Sequence, residues 1–317
     1  MVTGKRLNAK ATQTVLAFGG LIALMFIFSF LSPNFLTPSN LITILLMTAV
    51  NGILAVGITF IIVTGGIDLS VGTVMTFASV MAGVCITMLR LPLAMGILAA
   101  VLAGAFCGFI NGVSIAKLGL PPFIATLGMM NITKGFNLIV SGTKPVYFTN
   151  APLFGSIATT PIGGIPLGVL IFFGAALIAA FILSKTIIGR YTFAIGSNEE
   201  AARLSGINTG AWKIAIYSMS GAFFGIAGIV MASRLNSAQP ALGPGYEMDA
   251  IAAAVIGGAS LSGGEGGILG TVIGAFIITV LTNGLRILSV PQEWQMVVTG
   301  LIVIGAVYLD IARRKIK

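Results

Sequence analysis

The chain has 317 residues, 57% hydrophobic and 8% charged, with a net charge of +9 and no histidine. Soluble domains carry about 25% charged residues, so a water-soluble fold of this size is excluded and lipid is the solvent that fits. The lack of histidine also excludes imidazole metal sites and His-based acid–base catalysis.

A membrane-spanning helix needs about 20 mainly apolar residues. Ten stretches qualify, at approximately 14–31, 41–63, 70–89, 92–116, 121–140, 165–184, 211–232, 248–262, 268–286 and 294–310. The expected fold class is therefore all-α: a polytopic membrane protein of about ten helices. In the first stretch, Lys5, Arg6 and Lys10 precede an apolar run from Val15 to Leu31. The run mimics a signal sequence, but Ser32-Pro33-Asn34 lacks a small-x-small cleavage site, so it reads as the first membrane helix. Lys134 lies inside the fifth stretch, about 18 Å along the helix from Pro122, and reads as a side chain that snorkels to the interface. The eighth stretch is short and rich in Ala and Gly. It reads as a full span or as a broken, re-entrant one, giving nine or ten in all.

With both termini in the cytoplasm, twelve Lys and Arg fall inside and four outside: Arg90, Lys144, Arg234 and Arg286. That split obeys the positive-inside rule, and the reverse topology violates it. No segment forms a soluble domain. The expectation is a single transmembrane domain over 1–317, with cytoplasmic tails at 1–13 and 311–317 and a cytoplasmic loop at 184–210. Cys85 and Cys107 sit in apolar runs without Cys-x-x-Cys spacing and read as buried free thiols.

The loop contains a complete helix signature. Ser197 is a good N-cap, and Glu200 three residues on completes a capping box. Glu199 and Glu200 face the positive end of the helix dipole, and Arg203 lies near the negative end. Gly206 suits a left-handed C-cap. Isolated helices this short are marginal in water, so Ser197–Gly206 reads as docked, either on a cytoplasmic partner or on lipid headgroups.

Other polar residues carry two readings each. Asp68, in Val63-Thr64-Gly65-Gly66-Ile67-Asp68-Leu69-Ser70, reads as a cap of the third span that accepts from the Ser70 or Val71 amide. With Ser70 it is also a candidate for a cytoplasmic gate. Glu247 and Asp249 open the eighth stretch as dipole partners, or face the external mouth and meet the hydroxyls of a polar solute. Asn51, Asn111, Asn131 and Asn283 lie within spans as interhelical glue, with Asn51, Asn131 and Asn283 candidates for lining a pathway. Gly104, Gly108 and Gly112, and Gly266, Gly270 and Gly274, predict close helix crossings. Gly65–Ser70 also resembles Gly257–Ser262, and a Gly-Thr-Val follows each. The match reads as an internal repeat or as two independent glycine-rich turns.

There is no Gly-x-x-x-x-Gly-Lys-Ser/Thr phosphate loop, no Ser-His-Asp set and no row of arginines in a span. Passage of a neutral polar solute, driven from elsewhere, fits best.

The chain resembles the permease subunits of bacterial ABC importers for simple sugars, the ribose-type group of the branched-chain-amino-acid-permease-like superfamily. The resemblance covers nearly all of it. It rests on Leu31-Ser32-Pro33-Asn34-Phe35, Gly65–Gly72, Phe123-Ile124-Ala125-Thr126-Leu127, Gly189-Arg190-Tyr191, Ala201–Asn208, Arg234–Pro240 and Gly245–Ala253. It implies a non-catalytic subunit, in the bacterial inner membrane, of an importer for a monosaccharide or related polyol. The implied partners are a second permease subunit, identical or not, a cytoplasmic ATPase with two nucleotide-binding domains and an extracytoplasmic sugar-binding protein. Membrane lipid surrounds it and nucleic acid is not a partner. ATP and Mg2+ belong to the ATPase, and no cofactor to this chain. The family's coupling helix maps onto Ser197, Asn198, Glu199, Glu200, Ala201, Ala202, Arg203, Leu204, Ser205 and Gly206. Lys144, Gln239 and Tyr246 are candidates for docking the binding protein. The rival reading is an ATP-independent facilitator or secondary transporter.

Overall fold

The structure is a computed structural model that describes residues 2–315, and side chains over 14–305, 307 and 308. The part of the 311–317 tail beyond Lys315 lies outside the described residues. The elements, in chain order, begin with helices α1 (Val2–Leu31), α2 (Pro38–Val63) and α3 (Val71–Gly83), the last continued by a π-helical turn over Val84–Met88. Next come α4 (Leu93–Ala116), α5 (Pro122–Ser141), strand β1 (Val146–Tyr147), the short α6 (Pro152–Ser156) and the hairpin of β2 (Pro161–Ile162) and β3 (Ile165–Pro166). Then follow α7 (Leu167–Lys185), α8 (Ile187–Ser197), α9 (Glu199–Leu204), α10 (Thr209–Leu235) and β4 (Ser237–Ala238). The chain ends with α11 (Tyr246–Ile256), α12 (Ile268–Ile287) and α13 (Gln292–Lys315).

Proline explains many of the helix starts. Pro38, Pro122 and Pro152 stand in first turns, where a missing N–H costs nothing. Among the described residues, eight helices are long and apolar enough to cross a membrane: α1 to α5, α7, α10 and α12. They match the first seven of the expected stretches and the ninth. The eighth is α11, whose eleven residues rise about 16 Å, so the broken reading of 248–262 holds rather than the full span. The tenth corresponds to α13. The expected tail at 1–13 is a continuous extension of α1.

The spans form two layers. Of the most apolar windows, 67% of α2, α3 and α10 is buried but only 11% of α1. On the outer layer, Phe18, Phe30, Phe106, Ile139 and Leu177 present apolar surface outward, as lipid requires. The small-residue stripes make the tightest crossings. A Cβ on Gly104 or Gly108 would overlap the carbonyl oxygens of Gly221 or Tyr217, so α4 lies directly on α10. Gly270 and Gly274 bring α12 equally close to Gly257 and Ala253 at the end of α11. Without a hydrophobic drive between helices in lipid, such backbone contact supplies the van der Waals energy.

Two non-helical segments enter the bundle from opposite faces. Residues 64–70 climb from the end of α2, and the Tyr217 hydroxyl, eight residues into α10, donates to the Ile67 carbonyl at 3.3 Å. Residues 239–245 descend from β4, and Gly243 packs against Gly72 in the first turn of α3. Irregular backbone at such depth survives only where protein surrounds it.

Candidate functional site

One face carries the short helix α9. The structure moves its cap by one residue: Ser197 ends α8, and Asn198 Oδ1 accepts the Ala201 amide at 2.9 Å. The expected Ser197 capping box is therefore not formed. Asn198 wins because its extended backbone (φ −165°, ψ 101°) breaks α8 from α9. Glu200 instead pairs with Arg203 at 2.6 Å, and Glu199 with Lys213 on α10 at 2.6 Å. The Arg203 guanidinium holds the Glu200 carboxyl below its usual range, by hydrogen bond and by charge. Gly206 closes the turn at φ +85°, as expected. Of this helix only Ala202 is buried, and Leu204 is 78% exposed, so an apolar side chain is offered outward beside an ion pair.

Behind that helix the backbones lock together. Gly264 N donates to Val63 O at 2.9 Å. A Cβ on Gly196 would overlap that same carbonyl. Gly65 lies against Ser262 and Gly263, so the two copies of the glycine motif turn on one face and touch each other. The end of α8, the end of α2 and the 257–267 loop thus meet largely backbone to backbone, with only the small Ser197 and Val63 side chains alongside.

Asp68 is buried at 1% exposure. Its Oδ1 accepts from the Ser70 amide at 2.7 Å and the Ser70 hydroxyl at 2.6 Å, and Asn111 donates to Ser70 Oγ at 3.1 Å. Asp68 accepts the Ser70 amide as expected, but Ser70 itself stands at the N-cap of α3, so the contact is a turn just ahead of the helix rather than a cap of it, and Asn111 ties it to α4. This knot fixes where 64–70 turns into α3.

The opposite end of the bundle holds a cavity of about 620 Å³ between α2, α10, α11, α12 and α13. Arg234, Tyr246, Asp249 and Arg286 reach it, with Asn51 on α2 and Thr282 on α12. Gln292, Gln295 and Thr299 line it from α13. The amide oxygen of Asn51 is buried without a hydrogen-bond partner. The only ion pairs among the described residues are the two around α9, so Arg234, Arg286 and Asp249 bring unpaired charge to the cavity wall. Such a wall offers donors and acceptors to a polar solute.

The expected pathway residues separate. Asn51 and Asp249 share the cavity. Asp68 and Ser70 form the knot instead. Asn283 exchanges hydrogen bonds with Asn40 at 2.9 and 3.1 Å, joining α2 to α12. Asn131 is exposed and donates to Leu127 O within its own helix, so it lines nothing inside. Glu247 turns back onto the Gly245 amide at 3.0 Å. Of the expected docking residues, Lys144 and Gln239 flank strands β1 and β4, which pair antiparallel with Val146 opposite Ala238. Tyr246 lies apart, in the cavity. Sequence reasoning missed Arg234, Arg286, Thr282 and the α13 glutamines. Both arginines end a span, which made them look like flanking charges.

A helical membrane protein with a short exposed helix on one face, a cavity bearing two arginines and an aspartate toward the other and a glycine-tight junction between them is a transport subunit in outline. The chain belongs to the family of branched-chain amino acid transport system / permease components, whose model matches residues 40–307. It is 43% identical over 316 residues to the ribose import permease protein of Escherichia coli, covering 98% of this chain and 97% of that one. It is 41% identical over 297 residues to the ribose import permease protein of Haemophilus influenzae, covering 93% and 92%. It is 39% identical over 331 residues to the galactose/methyl galactoside import permease protein of Escherichia coli, covering 96% and 97%.

Proposed function

We propose that this chain is the membrane permease subunit of an ATP-driven importer for a monosaccharide or related polyol, in the bacterial inner membrane. The observation that carries the reading is the cavity, which sets unpaired Asp249, Arg234, Arg286 and Asn51 around a space of about 620 Å³. A sugar hydroxyl both donates and accepts, so mixed walls of this kind suit it. The names of the relatives, import permeases for ribose and galactose, support the substrate class.

In this reading the chain is one transmembrane permease domain of about ten membrane segments, with both termini and α9 in the cytoplasm. The charge split of the sequence supports that orientation. The helix at 199–204 docks into a partner ATPase that holds ATP and Mg2+. A second permease subunit completes the pathway, and a sugar-binding protein delivers the solute near Lys144 and Gln239. Movement at α9 reaches the Gly196–Gly264 junction, and α11 carries it to Tyr246 and Asp249. ATP acts by favouring one of two arrangements through differential contacts.

The test is a mild-detergent purification of the tagged chain from its native cells, with partners identified by mass spectrometry. A stoichiometric ATPase with two nucleotide-binding domains is expected. Recovery of the chain alone, with sugar flux through it in vesicles lacking ATP, sinks the reading in favour of a facilitator.

A further inference from the structure

The cavity carries more positive charge than a neutral sugar needs. Arg234 and Arg286 both line it, against the single carboxylate of Asp249. Neither guanidinium has a carboxylate within ion-pair distance among the described residues. Glu247, two residues before Asp249, accepts the Gly245 amide. Among the described residues, the hydrogen bond Arg286 makes is a long one to the Met47 sulfur, at 3.9 Å. Arg234, Tyr246 and Arg286 line the same cavity.

Arg234 is half-buried and Arg286 exposed at the cavity mouth, and an arginine fork fits a carboxylate in two parallel hydrogen bonds. Asn51 meanwhile presents a buried amide oxygen with no donor to it. One ligand meets both demands if it carries an acid group at one end and hydroxyls at the other. Resting on the cavity as the solute site, we infer that the preferred solute is an anionic sugar derivative, a monosaccharide bearing a carboxylate such as a uronate or an aldonate. The arginines hold the acid, and Asn51 and Asp249 accept the hydroxyls. Arg286, exposed at the end of α12, sets the preference, and Asn51 serves acid and neutral sugars alike.

The experiment uses the full-length chain in nanodiscs of phosphatidylcholine. Thermal stabilisation is titrated with D-galacturonate and D-gluconate, and with D-galactose and D-ribose. The acids are expected to act at concentrations about tenfold lower than the neutral sugars, the effect of one charge-assisted hydrogen bond. Arg286→Gln should erase that gap by weakening the acids far more than the neutral sugars, Arg234→Gln should narrow it, and Asn51→Leu should weaken both classes. Neutral sugars that bind as well as the acids, still dependent on Asn51, overturn the acid preference and keep the cavity as the site. Binding of neither class, or binding indifferent to Asn51, overturns the cavity reading and the acid preference with it. Equal stabilisation by sodium sulfate, or by phosphatidylglycerol in place of the acids, shows a general anion or lipid effect and also overturns the preference.

Discussion

The two ends of the bundle are built on opposite plans. Behind α9, backbone meets backbone, and Gly196, Gly264 and Val63 leave no room for a single carbon. Around the cavity, long polar side chains surround open space, and several of their groups have no partner. The first arrangement gains packing energy and transmits movement, because close-packed atoms cannot absorb a displacement. The second forgoes hydrogen bonds that the protein alone could have made. Stability and ligand contact are thus assigned to different ends of one molecule, and substitutions should separate them.

The largest loss of stability is expected at the junction. Gly196→Val drives a branched side chain into the Val63 carbonyl, and overpacking of this kind costs about 3 kcal/mol. A fall in apparent melting temperature and in folded yield from membranes measures it. Asp68→Ala comes next. It strands the Ser70 amide and hydroxyl in a buried site, which costs ~1–3 kcal/mol. An unchanged melting temperature for this variant would mean that the knot does not hold the 64–70 segment. Asn51→Leu should shift stability little, since it removes an oxygen that lacks a partner, yet cut sugar uptake about tenfold, the effect of about 1.4 kcal/mol of lost binding.

Smallest of all in its effect on stability is the exposed Glu200–Arg203 pair. Exchanging both for alanine should leave thermal unfolding unchanged, while co-purification of the ATPase is lost. The pair also predicts a direction with pH. Arg203 lowers the Glu200 carboxyl in the folded helix, so its contribution is present above the ordinary glutamate range and lost as pH falls through the folded value. ATPase retention measured from neutral to acidic pH should decline in the wild type and not in Glu200→Gln.

Much of this division could be read from residues alone. Long apolar runs marked eight spans, and spacing of small residues predicted close crossings along α4 and α12 but not their partners, because both signals are periodic and local. The left-handed turn at Gly206 and the Asp68–Ser70 contact were legible for the same reason. Asn198 displaced Ser197 because the choice of cap depended on where α8 ended, and α8 is set by tertiary packing. The cavity was half legible. Asn51 and Asp249 stood out as polar residues at membrane depth, but Asn131 and Asn283 looked identical in sequence. Only helix rotation distinguishes an inward Asn51 from an outward Asn131. Arg234 and Arg286 lie 52 residues apart in number, and no local pattern brings them to one wall.

The shortness of α11 has an electrical consequence. Its eleven residues rise about 16 Å, roughly half of a ~30 Å hydrocarbon core. With the cavity as the solute site and the Gly257–Gly270 contact closing the other end, the proposed function has the membrane voltage fall over about half the usual distance along this line. In the proposed orientation, an anion resting beside Asp249 has nearly the whole potential still ahead of it. An inside-negative voltage opposes its last step by about 2.3 kcal/mol per charge for each 100 mV, a cost that falls on the energy source of the importer and not on diffusion.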